Sequence, residues 1–232
     1  MIAYHGKPEL KTALLADLAW HREQDKLAQG LGAYWREGRG CAIGCVLESV
    51  RKIRKAKTID HNSHALYEKY LGVPQAIARL EDSIFESFPV ELAQQWPERV
   101  ARAIRPGADL SMVVPKFLHW LLSNPDGGVQ QRAKQRPQII PSIQTVIDLY
   151  GRWIDGTTPS ATEWREARSA AAYAAYAAAA AYAADAAYAA DAADAAADAA
   201  ADAYADADAA RASRSQERIR QADKLIELLE AA

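Results

Sequence analysis

From Ala170 to Ala210 the chain uses only three residue types: 29 of these 41 positions are alanine, and the others are tyrosine or aspartate. No glycine or proline follows Pro159 through to Ala232. Alanine has the highest helix propensity, so such a run is helical before any packing is counted. Pro159 and Ser160, with Glu163 three residues on, read as a helix start with a capping box. A straight helix over 160–210 would measure about 75 Å at about 1.5 Å per residue. A globule of this chain length has a radius of gyration of only about 17 Å. The segment must therefore project, bend or return as a hairpin. Its alanine faces permit close approach to the body or self-association with a second copy.

On this segment Asp191, Asp194, Asp198, Asp202 and Asp206 recur every three or four residues and share one side of a helix. A solvated face opposite an alanine packing face accounts for the repeat. The sharper reading is an acidic rail for a basic partner. Charge follows the same division. Residues 1–159 carry 21 Lys/Arg against 17 Asp/Glu, whereas 160–210 carry 2 against 9. The composition changes near Thr157, which divides the chain into a body, 1–157, and an alanine-rich segment, 158–232.

The body reads as short helices between breakers. Pro8 suits a first helical turn and Gly30 a helix end, with Leu10, Leu14 and Leu18 on one face. His21 and Asp25 fall on that face, and the spacing predicts a hydrogen bond between them. A second helix is predicted from Cys41 to about Lys55, and a third over HALYEKYL, between Ser63 and Gly72. Ile77, Leu80, Ile84 and Phe88 form an apolar stripe. Further helices are predicted near 90–104, 111–122 and 141–154. Alternating strand patterns are missing, so the expected fold class is all-α, a multi-helix body with a long alanine-rich helix or hairpin.

The only two cysteines, Cys41 and Cys45, lie in GRGCAIGC. A thiol at Cys41 would sit at a helix N-terminus, where free amides favour thiolate. With His21 and Asp25 it would make a nucleophile, base and orienter, provided the two helices meet. Cys41, Cys45, His61 and His64 supply four nominal zinc ligands in a C-x3-C … H-x2-H order. The competing reading is two inert thiols, a buried histidine and no cofactor. A disulfide four residues apart on a helix would be strained. No phosphate-binding glycine loop, G-x-S-x-G elbow or H-E-x-x-H occurs. The run Arg51, Lys52, Arg54, Lys55 and Lys57 ends the second helix, where cations suit the helix dipole. It is also a surface for phosphate, nucleic acid or the chain's own acidic helix.

The segments YHGKPELK, YWREGRGCAIGC, HALYEKYLGVPQAIARLEDSIFESFP and IRPGADLS resemble a family of bacterial proteins of uncharacterised activity, also carried by tailed phages and prophages. The resemblance covers roughly residues 3–122 and transfers no catalytic residue. Members often carry a histidine soon after the second cysteine, where this chain has Val46, Leu47 and Glu48. The resemblance implies a small helical interaction protein, an inhibitor or adaptor acting on a host process or defence system. The alternative is a thiol- or metal-dependent enzyme centred on Cys41, with zinc as its ion. The formal net charge of -2 and the lack of any long apolar run lead us to expect no membrane partner. Two cysteines without an export signal lead us to expect a cytoplasmic protein.

Overall fold

Pro8 sits in the first turn of helix α1 (Pro8–Glu23), where its missing N–H costs nothing. In the computed structural model, which describes residues 1–135, 139–171 and 207–232, the fold is all-α. The chain divides into two compact units. One comprises Met1–Ser111 with Ala222–Ala232, the other Met112–Gln221.

In the first unit, α1 is followed by a two-residue antiparallel pair, β1 (Trp35–Arg36) and β2 (Arg39–Gly40). Helices α2 (Ala42–Ile53), α3 (Ala65–Leu71), α4 (Gln75–Ser87), α5 (Val90–Ala93) and α6 (Trp96–Ala103) follow. The core joins Leu14 and Leu18 of α1 to Ile43, Leu47 and Val50 of α2, Ile77, Leu80 and Ile84 of α4, and Trp96 of α6. Each such side chain contributes about 1.5–3 kcal/mol on burial. The Trp96 indole donates to the Glu81 carbonyl at 2.9 Å, so its one polar atom is satisfied. Helix α2 is buried on every side from Ala42 to Val50, because α1, α4 and β2 all pack on it. Leu225 and Leu229 belong to this unit and are fully buried.

Two glycines fix close approaches. A Cβ on Gly44 would lie 1.6 Å from the Tyr34 carbonyl oxygen, so α2 can meet the β1 approach only without a side chain there. Gly72 ends α3 with φ +63, and a Cβ there would lie 2.1 Å from the Ile2 carbonyl oxygen.

The structure departs from the sequence expectations at three places. Helix α1 ends at Glu23, well before Gly30, and Asp25 takes a left-handed φ of 50°. The single helix expected over 90–104 is two, because Pro97 suits only a first turn and restarts the helix at Trp96. The β1–β2 pair was not expected, because two residues per strand leave no alternation to read.

In the second unit, α7 (Val113–Ser123), α8 (Val129–Arg132), α9 (Ile140–Ile154) and α10 (Ala161–Ala171) lead to α11 (Ala207–Glu230), which contributes as far as Gln221. Phe117, Leu118 and Leu121 of α7 and Ile143, Val146 and Tyr150 of α9 are buried. Trp164 of α10 joins Tyr150 at a ring separation of 4.9 Å. The capping box is present. The Glu163 amide donates to Ser160 Oγ at 3.2 Å, and the Ser160 amide donates to the Glu163 carboxylate at 2.7 Å. The composition break near Thr157 falls between α9 and α10, inside this unit. Asp191, Asp194, Asp198, Asp202 and Asp206 lie outside the described residues.

Candidate functional site

Cys41 is the N-cap of α2, in extended conformation, and only 2% exposed. Its backbone amide donates to the Tyr34 carbonyl at 3.1 Å, so the chain arriving from β2 fixes where the sulfur points. The sulfur meets Asp82 of α4, with Sγ 3.5 Å from Oδ1. The other oxygen of Asp82 lies 3.2 Å from His64 Nε2, at the start of α3. The Tyr34 ring stands edge-on to His64 with centroids 5.2 Å apart. Glu86, one helical turn after Asp82, presents its carboxylate to the same point. Ligand atoms of Cys41, Asp82 and Glu86 all lie within 4.8 Å of one another. Glu86 is steadied by the Gly30 amide, which donates to Oε2 at 2.9 Å.

The electrostatics of this cluster are one-sided. Burial, and then the charge of Asp82, pushes the Cys41 thiol far up, outweighing the opposing pull of the Gly44 and Ile43 amides. Burial raises the Glu86 carboxyl, with a further contribution from Asp82, against the Gly30 hydrogen bond. The Tyr34 hydroxyl is pushed up to about 12 by burial and by Asp82, against the pull of Arg79. A thiol and two carboxylates thus converge where each added negative charge penalises the next.

The expected site residues distribute as follows. Cys41 and His64 come together through Asp82, whereas Cys45 and His61 go elsewhere. Cys45 Sγ faces the Gly40 carbonyl at 3.6 Å, and burial pushes its thiol up to about 12. His61 Nε2 lies 3.1 Å from Glu48 and stacks on Trp35. The four nominal zinc ligands therefore have different partners. His21 is fully buried but lies 3.1 Å from Asp17, not Asp25. The expected His21–Asp25 bond fails because α1 ends two residues before Asp25, which is exposed. The i−4 neighbour on the same face takes its place. Asp17 also accepts from Ser49 Oγ at 2.7 Å and Lys52 Nζ at 3.1 Å. Burial alone would raise the Asp17 carboxyl, but these hydrogen bonds hold it well below the usual carboxylate range. This network ties α1 to α2 around His21.

The basic run is partly used inside the unit. Arg51 pairs with Glu48 at 2.7 Å and Lys52 with Asp17, while Arg54, Lys55 and Lys57 remain exposed. Sequence reading missed Asp82 and Glu86. Their signal was a carboxylate pair at i, i+4 beside the apolar stripe of PQAIARLEDSIFESF, within reach of a cysteine only once α2 packs on α4. No helix among the described residues is long and apolar enough to cross a membrane. Comparison with protein-family models, with curated proteins and with solved structures finds nothing that matches this chain.

Proposed function

We propose that the chain is a metal-dependent enzyme, with a divalent first-row ion, best fitted by zinc, held by Cys41, Asp82 and Glu86. The observation that carries this is the separation of 3.5 Å between Cys41 Sγ and Asp82 Oδ1. Two ligands on a zinc tetrahedron, with S at about 2.3 Å and O at about 2.1 Å, stand about 3.6 Å apart. The charge pattern supports the same reading, since a divalent cation relieves the mutual repulsion of a thiolate and two carboxylates. Thiolate with carboxylates suits zinc better than magnesium or calcium, which take oxygen ligands.

His64 would act behind the ligands, orienting Asp82 as hydrogen-bonded partners of ligating carboxylates do. Three protein ligands leave a fourth position for water or substrate, which is the pattern of catalytic rather than structural zinc sites. An ion there supplies water activation or polarisation of a substrate oxygen. Glu86 is the exposed member, so water and substrate would reach a bound ion from its side.

The test is zinc content and thermal stability of the full chain after equilibration with zinc and removal of free ion. One zinc per chain is expected, with a melting temperature that rises with zinc concentration as ligand linkage requires. Asp82→Asn should lose both, and Cys45→Ser should keep both. A parent protein that retains no more zinc than Asp82→Asn overturns the proposal.

A further inference from the structure

A second site lies on the same unit and shares no lining residue with the Cys41 cluster. It is a cleft of about 530 Å³ between the N-terminal turn, α1, the end of α2 and α3. This volume falls within the usual span of small-molecule sites, about 300–1,000 Å³. Its floor is apolar, made by Leu10, Val50 and Ile53, and Tyr70 supplies an aromatic wall. Its rim carries Lys7 and Arg54, both exposed. Among the described residues neither has an ion-pair partner.

The cationic field at the wall is reinforced. The Arg54 guanidinium lies 4.4 Å from the Tyr70 ring centroid, and the Lys69 ammonium lies 5.2 Å from the same ring. Glu9 is the one acidic lining residue. Among the lining residues Lys7 and Arg54 against Glu9 leave an excess of one positive charge, which suits one anionic group.

The backbone supplies an independent observation. Tyr4 and His5 are consecutive non-glycine residues in left-handed conformation, both with φ 51°, and His5 lines the cleft. Such a pair persists only where surrounding structure over-determines it, and strain of this kind gathers at ligand clamps. Here the supports are explicit. The Tyr4 ring is buried and its hydroxyl donates to the Ala101 carbonyl at 2.9 Å. The Ala3 amide donates to the Ala108 carbonyl, and the Gly107 amide donates to the Ala3 carbonyl, each at 2.9 Å. The turn is thus locked from below while His5 stays exposed at the cleft.

We infer that this cleft binds a small amphiphilic anion: a flat aromatic body against Tyr70 and the apolar floor, with one carboxylate, sulfonate or phosphate group between Lys7 and Arg54. Stacking and floor contacts hold the body, and charge-assisted hydrogen bonds set its orientation. The site is independent of the metal proposal, and its test does not use the metal.

The probe is 8-anilinonaphthalene-1-sulfonate, titrated by fluorescence against the full chain. Saturable binding of one probe per chain is expected, weakening as salt rises. The double substitution Lys7→Gln and Arg54→Gln should raise Kd at least about tenfold, the scale of one lost charge-assisted contact. Its circular dichroism should not move and its melting temperature should fall by no more than a few degrees, since both side chains are exposed and only the Arg54–Tyr70 contact is lost. N-phenyl-1-naphthylamine, the same rings without the sulfonate, should bind the parent at least about tenfold more weakly. Cys41→Ser should bind the sulfonate probe like the parent, which separates this site from the metal centre. The inference is overturned if the parent shows no saturable binding, if the double variant binds with the parent's Kd, or if the neutral probe binds as tightly as the sulfonate.

Discussion

Glu81 offers a sharp test of the electrostatics, because it sits on α4 beside Asp82 but points into the core. It is 2% exposed, and one of its carboxylate oxygens has no hydrogen-bond partner. The Tyr67 hydroxyl lies beside it without a well-formed hydrogen bond. Burial, reinforced by the Asp82 charge, raises its carboxyl from 4.5 to about 8. A carboxyl whose folded value is raised binds its proton more tightly in the fold than in the unfolded chain. Its contribution is therefore most favourable below about pH 4.5 and is lost as pH rises toward about 8. At about 1.4 kcal/mol per tenfold change in proton affinity, the loss across that window is on the order of 4 kcal/mol. Glu81→Gln keeps the shape and cannot ionise. Urea unfolding with chelator present, at several pH values between 4.5 and 8, should show parent stability falling relative to the variant. The two should be similar at the acid end, and the variant more stable by up to about 4 kcal/mol at the alkaline end. A parent–variant difference that does not change with pH would refute the buried, protonated carboxyl.

Three further outcomes follow from the same geometry. Gly44→Ala must push α2 off the Tyr34 carbonyl, since the new Cβ would meet it at 1.6 Å; a loss of at least about 3 kcal/mol, or roughly 6–12 °C in melting temperature, is expected by calorimetry. Asp17→Asn should destabilise the fold by about 2 kcal/mol near neutral pH in denaturant melts. The Asp17 carboxyl is depressed in the fold, so its contribution is present above its ordinary value of 3.8 and disappears as pH falls below it. A cost that persists unchanged in strong acid would count against the network. Both thiols should resist iodoacetamide in the folded, metal-free chain near neutral pH, because burial holds both well above their ordinary value; peptide mass spectrometry showing Cys41 modified at the rate of an exposed thiol would contradict this.

Local signals in the sequence translated directly into structure. Pro8 marks α1, Gly72 ends α3, and Ser160 with Glu163 forms the capping box of α10. Each is decided by backbone chemistry within a few residues. Cys41 was also legible as the start of α2. Its partners were not, because Asp82 reaches it across 41 positions of sequence and only through the packing of α2 on α4. His21 shows the other failure. Its face was read correctly, but the choice between Asp25 and Asp17 depended on where α1 ends, and no strong breaker marks Glu23. Of the four metal ligands expected from spacing, Cys41, Cys45, His61 and His64, the second and third face Gly40 and Glu48.

If Cys41, Asp82 and Glu86 hold one metal ion as proposed, cobalt should report it through its colour. Titrating Co²⁺ into the metal-free full chain should produce a thiolate-to-cobalt charge-transfer band together with the intense visible bands of a four-coordinate ion. Both should saturate at one equivalent and be displaced by zinc. Cys41→Ser should abolish the charge-transfer band, and Cys45→Ser should leave it intact. A spectrum that stays that of hydrated cobalt throughout the titration, or a charge-transfer band that depends on Cys45 rather than Cys41, would rule out a metal ion at Cys41, Asp82 and Glu86.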